Sequence, residues 1–159
     1  MPWLQAGACS EFKPFAEARC MTPHIRDYTD ADYEDVKQNL EDGGRFDVEL
    51  DGRDIFQRKI TLRPGSILVA EDDGHVVGNV LLIYDGWMPL VFRLAVRRAY
   101  RNQGLGTRLL EAAEHRLKEW GATGVSLLFD DREQHLRAFY AKRGYVDWRE
   151  PAHGMYKPL

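Results

Sequence analysis

The chain has 159 residues, a formal net charge of −3 and 30% charged residues, which is typical of a single globular domain with its own core. This mildly acidic balance gives no overall field for nucleic acid, so any basic site must be local. No apolar run approaches the roughly 20 residues of a membrane span. The two cysteines, Cys9 and Cys20, and the scattered histidines offer no disulfide framework and no metal site. We expect a cytoplasmic protein without metal, nucleic-acid or membrane partners.

Residues 1–20 differ from the rest of the chain. They show neither a helical nor a strand period, and no charged start followed by an apolar run. We therefore expect a mobile N-terminal extension at 1–20 and one domain over 21–159, with Met21 as an alternative start.

The first part of the domain predicts one strand and two helices. Residues 24–26 favour a short strand. Thr29 is typical of a helix N-cap, and Asp32 stands three residues on as its capping-box partner. A helix is therefore expected over 30–40, and a second, with one apolar stripe, over 54–62.

Three strands then form a predicted antiparallel meander, at 67–71, 75–84 and 90–96. The first two are joined at Asp73 and Gly74, a pair that favours a tight hairpin turn because glycine readily adopts positive φ.

The last part alternates helices and strands. A long amphipathic helix is expected over 104–120, and the continuous apolar run at 125–129 is typical of a strand buried on both faces. A helix over 133–142, a sixth strand at 145–148 and a seventh at 155–157 complete the order. This pattern predicts an α/β (α+β) fold with a mixed, mostly antiparallel sheet of six to seven strands and about four helices.

A strand, a basic loop and a helix follow one another within residues 94–110. The first N–H groups of a helix have no intrahelical partner and the helix dipole adds positive charge, so such a loop binds anions. Gly104 and Gly106 have no Cβ, which lets a phosphate approach the backbone. Leu109 replaces the third glycine of a dinucleotide-binding motif, and no P-loop is present. Basic side chains surround the same turn: Arg97, Arg98, Arg101 and Arg108.

Two motifs in this region resemble those of the GNAT acetyltransferase superfamily. Residues 101–106, RNQGLG, match its [QR]-x-x-G-x-[GA] signature, and the preceding LAV and Tyr100 also fit the family pattern. About thirty residues on, 138–145 resembles the family's second signature, a helix ending in tyrosine, three further residues, glycine and an aromatic. The resemblance covers about residue 22 to the C-terminus.

The resemblance implies a sheet that splays between strands 4 and 5 and binds acetyl-CoA as co-substrate in the gap. Backbone groups of Leu94 and Val96 would pair with the pantetheine as a further strand does. A backbone N–H near Ala95 or Val96 would donate to the thioester oxygen. Arg101 or Arg98 would meet the 3′-phosphate. The diphosphate would bind the main-chain N–H groups of Asn102, Gln103, Gly104, Leu105, Gly106 and Thr107.

The same resemblance assigns the catalytic role to Tyr140, as the general acid that protonates the CoA thiolate after direct attack by an amine. Some relatives carry a glutamate on strand 4 or 5 as general base, but the strands FRLAV and VSLLF contain no carboxylate. Asp85, Asp130 and Asp131 lie at strand ends and remain alternatives that would act through water. Glu133 stands where relatives often have an asparagine that contacts the cofactor, so its role is open.

The acceptor is less well defined. The acidic segment 27–54 would attract a cationic amine, and Trp87 and Trp148 are candidate walls of its site. We expect an acetyl-CoA-dependent N-acetyltransferase acting on a primary amine, either a protein N-terminus or a small molecule. One alternative is an acyl-CoA-binding regulatory module without turnover, and another is a nucleotide-binding α/β protein. Members of the family often dimerise, so a homodimer is also open.

Overall fold

The computed structural model describes residues 22–129 and 133–148, and the expected extension at 1–20 lies outside them. Short 3-10 turns at Asp30–Asp32 and Arg98–Tyr100 precede the first and third helices. No helix within the described residues is long and apolar enough to cross a membrane. The described elements, in chain order, are β1 (His24–Asp27), α1 (Tyr33–Asp42), α2 (Arg53–Leu62), β2 (Ile67–Asp72), β3 (His75–Ile83), β4 (Leu90–Val96), α3 (Leu105–Glu119), β5 (Ser126–Leu127) and α4 (Gln134–Ala141).

The strands form one mixed sheet in the order β1-β2-β3-β4-β5. The first three pairs of neighbours are antiparallel, and β4 and β5 are parallel. The α/β class and the mixed, mostly antiparallel sheet are therefore confirmed. The number of strands differs, because the described residues contain five and not six or seven.

The prediction of a sixth strand at 145–148 is wrong. These residues follow α4 without pairing to any described strand, and Val146 and Trp148 are exposed. A short apolar and aromatic segment forms a strand only if it can pair with the edge of a sheet, and the local sequence does not show whether such an edge lies beside it. The seventh strand, expected at 155–157, lies outside the described residues.

The strand expected at 125–129 is much shorter than its apolar run. Only Ser126 and Leu127 pair with β4, no residue of the run is buried, and Leu128 is 62% exposed. The prediction of a strand covered on both faces is therefore wrong. An apolar run shows that a segment can be buried, but the splay of the sheet decides whether anything lies against it.

Two hydrophobic cores lie on the two sides of the sheet. Side chains alternate along β2, so Leu68 and Ala70 pack with α3, whereas Ile67 and Val69 pack with α1 and α2. The α3 stripe in the first core comprises Leu105, Leu109, Leu110, Ala113 and Leu117. The second core includes Tyr28, Tyr33, Val36, Leu40 and Phe56. Burying such side chains contributes roughly 1.5–3 kcal/mol each, so both layers hold the central strands in place.

Local signals set the ends of several elements. The Asp32 carboxylate accepts from the Thr29 N–H at 2.7 Å, which is the side-chain bond of a capping box, and also from the Thr29 hydroxyl at 3.0 Å. The first turn is 3-10, so the regular helix starts at Tyr33 and not at residue 30. Asp73 and Gly74 have φ values of 53° and 80°, which confirms the tight turn between β2 and β3.

Candidate active site

The sheet opens between β4 and β5. The two strands pair only at Leu90–Ser126 and Val91–Leu127, so β4 continues for five more residues without β5 beside it. A cavity of about 560 Å³ fills this gap. It is lined by parts of β4, the loop before α3, β5 and α4, and of the predicted site residues it contacts Leu94, Ala95, Val96, Arg101, Asn102, Gly104, Gly106, Thr107 and Tyr140.

Strand β4 carries a bulge at the edge of the cavity. Between the pairs Asn79–Ala95 and Leu81–Phe92, two residues of β4 oppose one of β3, and Arg93 has a φ of 51°. The Asn79 Nδ2 donates to the Arg93 carbonyl oxygen at 2.9 Å, which replaces the missing ladder bond. Bulges of this kind re-aim the backbone and are common beside active sites.

The loop before α3 offers a row of main-chain donors. Gly104 is the N-cap of α3 with a φ of 81°, and the first helical bond runs from the Arg108 N–H to the Gly104 carbonyl. Among the described residues, the N–H groups of residues 102–107 donate to no backbone carbonyl. Together with the helix dipole, unpaired donors of this kind suit the binding of an anion.

The side chains of two predicted site residues are engaged away from the cavity. The Gln103 side chain donates to the Ala99 carbonyl at 2.8 Å, and Leu105 is buried in the core beneath α3. Neither lines the cavity. Any ligand role for them therefore depends on their main-chain N–H groups.

The arginines around the loop separate into different roles. Arg101 lines the cavity, and its Nε donates to the Val96 carbonyl at 2.8 Å. Arg97 turns inward to Asn39 and Asp35. Neither Arg98 nor Arg108 lines the cavity, and Arg108 donates to the Pro23 carbonyl at 2.8 Å.

Sequence reasoning missed Arg143 as a site residue. Its guanidinium bonds the Thr107 hydroxyl, donates to the Phe139 carbonyl at 2.5 Å and lies 3.6 Å from the Phe139 ring centroid. Its Nε is buried and has no hydrogen-bond partner in the described part of the chain. Arg143 stands inside the second signature, three residues after Tyr140, so its position there and its basic charge were the available signals.

Tyr140 lies in an aromatic cluster at the cavity wall. Its ring stacks on Phe129 at 5.8 Å and meets Phe139 and Tyr145 edge-on at 5.1 and 5.6 Å. Burial raises the pKa of its hydroxyl, with Glu133 adding to the rise and Arg45 and Arg143 opposing it. The group is therefore protonated at neutral pH.

The carboxylates considered as bases are placed differently. Asp85 does not line the cavity, and its carboxylate accepts from the Trp87 N–H at 3.0 Å. Asp130 and Asp131 lie outside the described residues. Glu133 does line the cavity and forms an ion pair with Arg45.

The suggested acceptor features are not brought together. Trp87 and Trp148 do not line the cavity, whose phenylalanine and tyrosine walls are Phe92, Phe129, Phe139 and Tyr140. Much of the acidic segment is neutralised by arginines, through the ion pairs Arg26–Asp32, Arg53–Asp30, Arg58–Asp54, Arg93–Asp51, Arg97–Asp35 and Arg116–Asp27. Within residues 22–129 and 133–148, no three His, Cys, Asp or Glu residues are arranged to hold a metal ion.

The family model of the acetyltransferase (GNAT) family matches residues 22–145. The chain therefore belongs to this family, whose members use acetyl-CoA, and it is an N-acetyltransferase. Two similar proteins are named acetyltransferases. One, from Sodalis glossinidius, is 30% identical over 62% of this chain and 67% of its own length. The other, from Photorhabdus laumondii, is 30% identical over 77% of this chain and 86% of its own.

Solved structures share the fold. A GNAT-family acetyltransferase from Staphylococcus aureus has a TM-score of 0.69 at 20% identity and covers 87% of this chain and 94% of its own. The PaiA N-acetyltransferase from Thermoplasma acidophilum, solved in complex with coenzyme A, has a TM-score of 0.69 at 19% identity and covers 77% and 89%.

Proposed function

We propose that the protein transfers the acetyl group of acetyl-CoA to a primary amine by direct attack, with Tyr140 as the general acid. The observation that carries this proposal is the row of free main-chain donors at residues 102–107 on the same cavity that Tyr140 lines. A loop that binds phosphates and a buried, protonated phenol in one cleft suit a diphosphate-bearing thioester.

The residues present fit the co-substrate at both of its ends. Free N–H groups of residues 102–107, with Arg143 and Arg101 nearby, suit the charge of the phosphates. Among the described residues no strand lies beside β4 beyond Val91, so the backbone groups of Leu94 and the N–H of Val96 suit the pantetheine amides. The Val96 carbonyl already accepts from the Arg101 Nε. The bulge at Arg93 would turn a nearby N–H toward the thioester oxygen.

In the proposed reaction, the amine nitrogen attacks the acetyl carbon, so a C–N bond forms and the C–S bond breaks. The sulfur takes the proton of the Tyr140 hydroxyl, and the proton that the new amide nitrogen gives up restores the phenol. The raised pKa of Tyr140 keeps this proton in place until the leaving group develops charge.

The test is CoA release from acetyl-CoA by the full chain with a panel of primary amines. We expect release with at least one amine, a fall of about 10²-fold or more in kcat for Tyr140→Phe, and unchanged CoA affinity by calorimetry. Unchanged turnover in Tyr140→Phe would exclude this general acid.

Measurements of CoA binding and of thermal stability test the alternatives. Tight CoA binding without turnover of any amine would favour the regulatory module. Thermal stabilisation by ATP or NAD, and not by CoA, would contradict acetyl-CoA as the co-substrate. A homodimer and a cytoplasmic location stay predictions.

A further inference from the structure

The cavity wall near Tyr140 holds an ion pair that the proposed mechanism does not use. Arg45, from the loop after α1, pairs with Glu133, which immediately precedes α4, and both line the cavity. Their side chains are 33% and 30% exposed, so the pair is partly buried. Both residues line the same cavity as Tyr140, and their charges act on the pKa of its hydroxyl in opposite directions, Arg45 lowering it and Glu133 raising it.

The other arginines on the cavity wall also contact the protein, and the Arg101 Nε donates to the Val96 carbonyl. Arg93 pairs with Asp51, whose side chain is buried, and Arg93 itself is 13% exposed. Arg143 bonds Thr107 at the start of α3. Glu133 is therefore the one carboxylate that the described lining residues offer to an acceptor ammonium.

A simple monoamine would bind this pair poorly. If its ammonium takes Glu133, the Arg45 guanidinium loses its partner, and an unpaired charge in a partly buried site is costly. An acceptor with its own carboxylate beside the amine would pair with both residues. Such a ligand inserts its two charges into the existing pair and leaves no charge uncompensated.

We propose that Arg45 and Glu133 select an acceptor that carries a carboxylate beside its amine, the chemistry of a free α-amino acid. Glu133 binds the ammonium, and Arg45 binds the carboxylate through its planar guanidinium. The inference rests on the proposed acetyl transfer and narrows its acceptor. A protein N-terminus lacks a carboxylate at this position and is disfavoured.

Proton balance is simple in this arrangement. The bound ammonium gives one proton to Glu133, which passes it to water, and the free amine then attacks the thioester. The net reaction converts ammonium and acetyl thioester into N-acetyl product, CoA thiol and one released proton.

The experiment measures CoA release by the full-length protein from acetyl-CoA, with each standard L-amino acid and, in parallel, with its α-carboxamide as acceptor. We expect at least one amino acid to have a kcat/KM about tenfold or more above that of its amide, because one hydrogen bond to a charged group changes binding by about this factor. Equal rates for acid and amide, or a preference for amides, would overturn the proposal.

Variants test the two residues separately. Arg45→Met should raise KM for the amino acid by about tenfold or more but lower KM for the amide, because no guanidinium is left unpaired, whereas Glu133→Gln should raise KM for both. Arg58→Met is a matched control, because Arg58 forms an exposed ion pair with Asp54 on α2. CoA affinity should be the same in all three.

A charge exchange separates selection from a structural role. The double variant Arg45→Glu with Glu133→Arg keeps an ion pair with reversed polarity. If the pair only joins two elements, this variant restores wild-type kcat/KM for the amino acid, and the proposal is wrong. We expect the double variant to be more stable than either single variant, because the ion pair is restored, but to show no preference for the amino acid over its amide.

Binding distinguishes failure of this inference from failure of the proposed function. The same amino acids are titrated calorimetrically into the protein loaded with CoA. If the amino acid binds to wild type but not to Arg45→Met, and no amine is turned over, the inference is supported and the proposed acetyl transfer is contradicted. Turnover confined to amines without a carboxylate does the reverse. Neither binding nor turnover of any amino acid overturns the inference.

Discussion

Asn79 and Arg93 are joined across the β3–β4 pair at the point where β4 leaves its regular ladder. The Asn79 Nδ2 donates to the Arg93 carbonyl at 2.9 Å, and the Oδ1 accepts from Asn39 at 3.3 Å. Asn79 is fully buried, and Arg93 holds a positive φ that an ordinary residue adopts only at a cost. This side chain therefore stabilises the distorted backbone that borders the cavity.

Replacing Asn79 should loosen the bulge. Asn79→Leu keeps the size of the side chain but leaves the Arg93 carbonyl without its donor, so we expect a loss of about 1–3 kcal/mol in the free energy of unfolding. Urea denaturation measures this loss, with Gln38→Leu on the exposed face of α1 as control. We also expect kcat to fall more than CoA affinity. Wild-type stability in the variant would show that the bulge does not need this bond.

The two glycines at the start of α3 should respond differently to alanine. Gly104 has a φ of 81°, so Gly104→Ala strains the backbone and should cost about 1 kcal/mol of stability. A Cβ on Gly106 would lie 3.8 Å from Phe139 and Val96, so Gly106→Ala should fold normally. Because Gly106 lines the cavity, we expect its added methyl group to weaken CoA binding. Denaturation and calorimetry on both variants measure the contrast, and unchanged CoA affinity in Gly106→Ala would argue against phosphate binding there.

Removing the charge of Arg143 should weaken the co-substrate site. Arg143→Met is expected to raise the Kd for CoA by about tenfold, the usual effect of one charge-assisted hydrogen bond. Arg108→Met makes the same change in net charge at the same end of α3, but Arg108 does not line the cavity. Calorimetry should therefore show a much smaller effect for Arg108. Equal effects would mean that only the general positive field matters.

Lys59 should make stability depend on pH. Burial lowers the pKa of this ammonium from 10.5 to about 8, and its Nζ donates to the Leu82 carbonyl at 2.5 Å. Between these two pH values the unfolded chain binds a proton that the folded chain has released, so stability contributed at this site rises with pH. Solvent screening of a partly exposed group limits the gain to about 2 kcal/mol.

The measurement compares wild type with Lys59→Met by urea denaturation from pH 7.5 to 10.5. We expect the wild-type free energy of unfolding to gain on the variant as the pH rises. Lys118→Met, at an exposed position on α3, serves as control and should follow wild type. A pH-independent difference for Lys59→Met would contradict the lowered pKa.

Local signals predicted most elements because they depend on near neighbours. The capping box at Thr29, the turn at Asp73 and the apolar stripe of α3 each lie within a few residues. The length of β5 and the pairing of 145–148 depend on where the sheet ends, so periodicity overestimated both. The Arg45–Glu133 pair joins residues 88 positions apart, and no local pattern indicates such a contact.

The bond between Arg143 and Thr107 has a consequence for redesign of this enzyme. Tyr140 and Arg143 are at the same end of α4, and Arg143 reaches across to the first turn of α3. A substitution that shifts α4 to accommodate a bulkier acyl chain would therefore also disturb the start of α3, where we propose that the phosphates bind. Broader donor range and tight cofactor retention would trade off against each other unless the α3 contact is rebuilt at the same time.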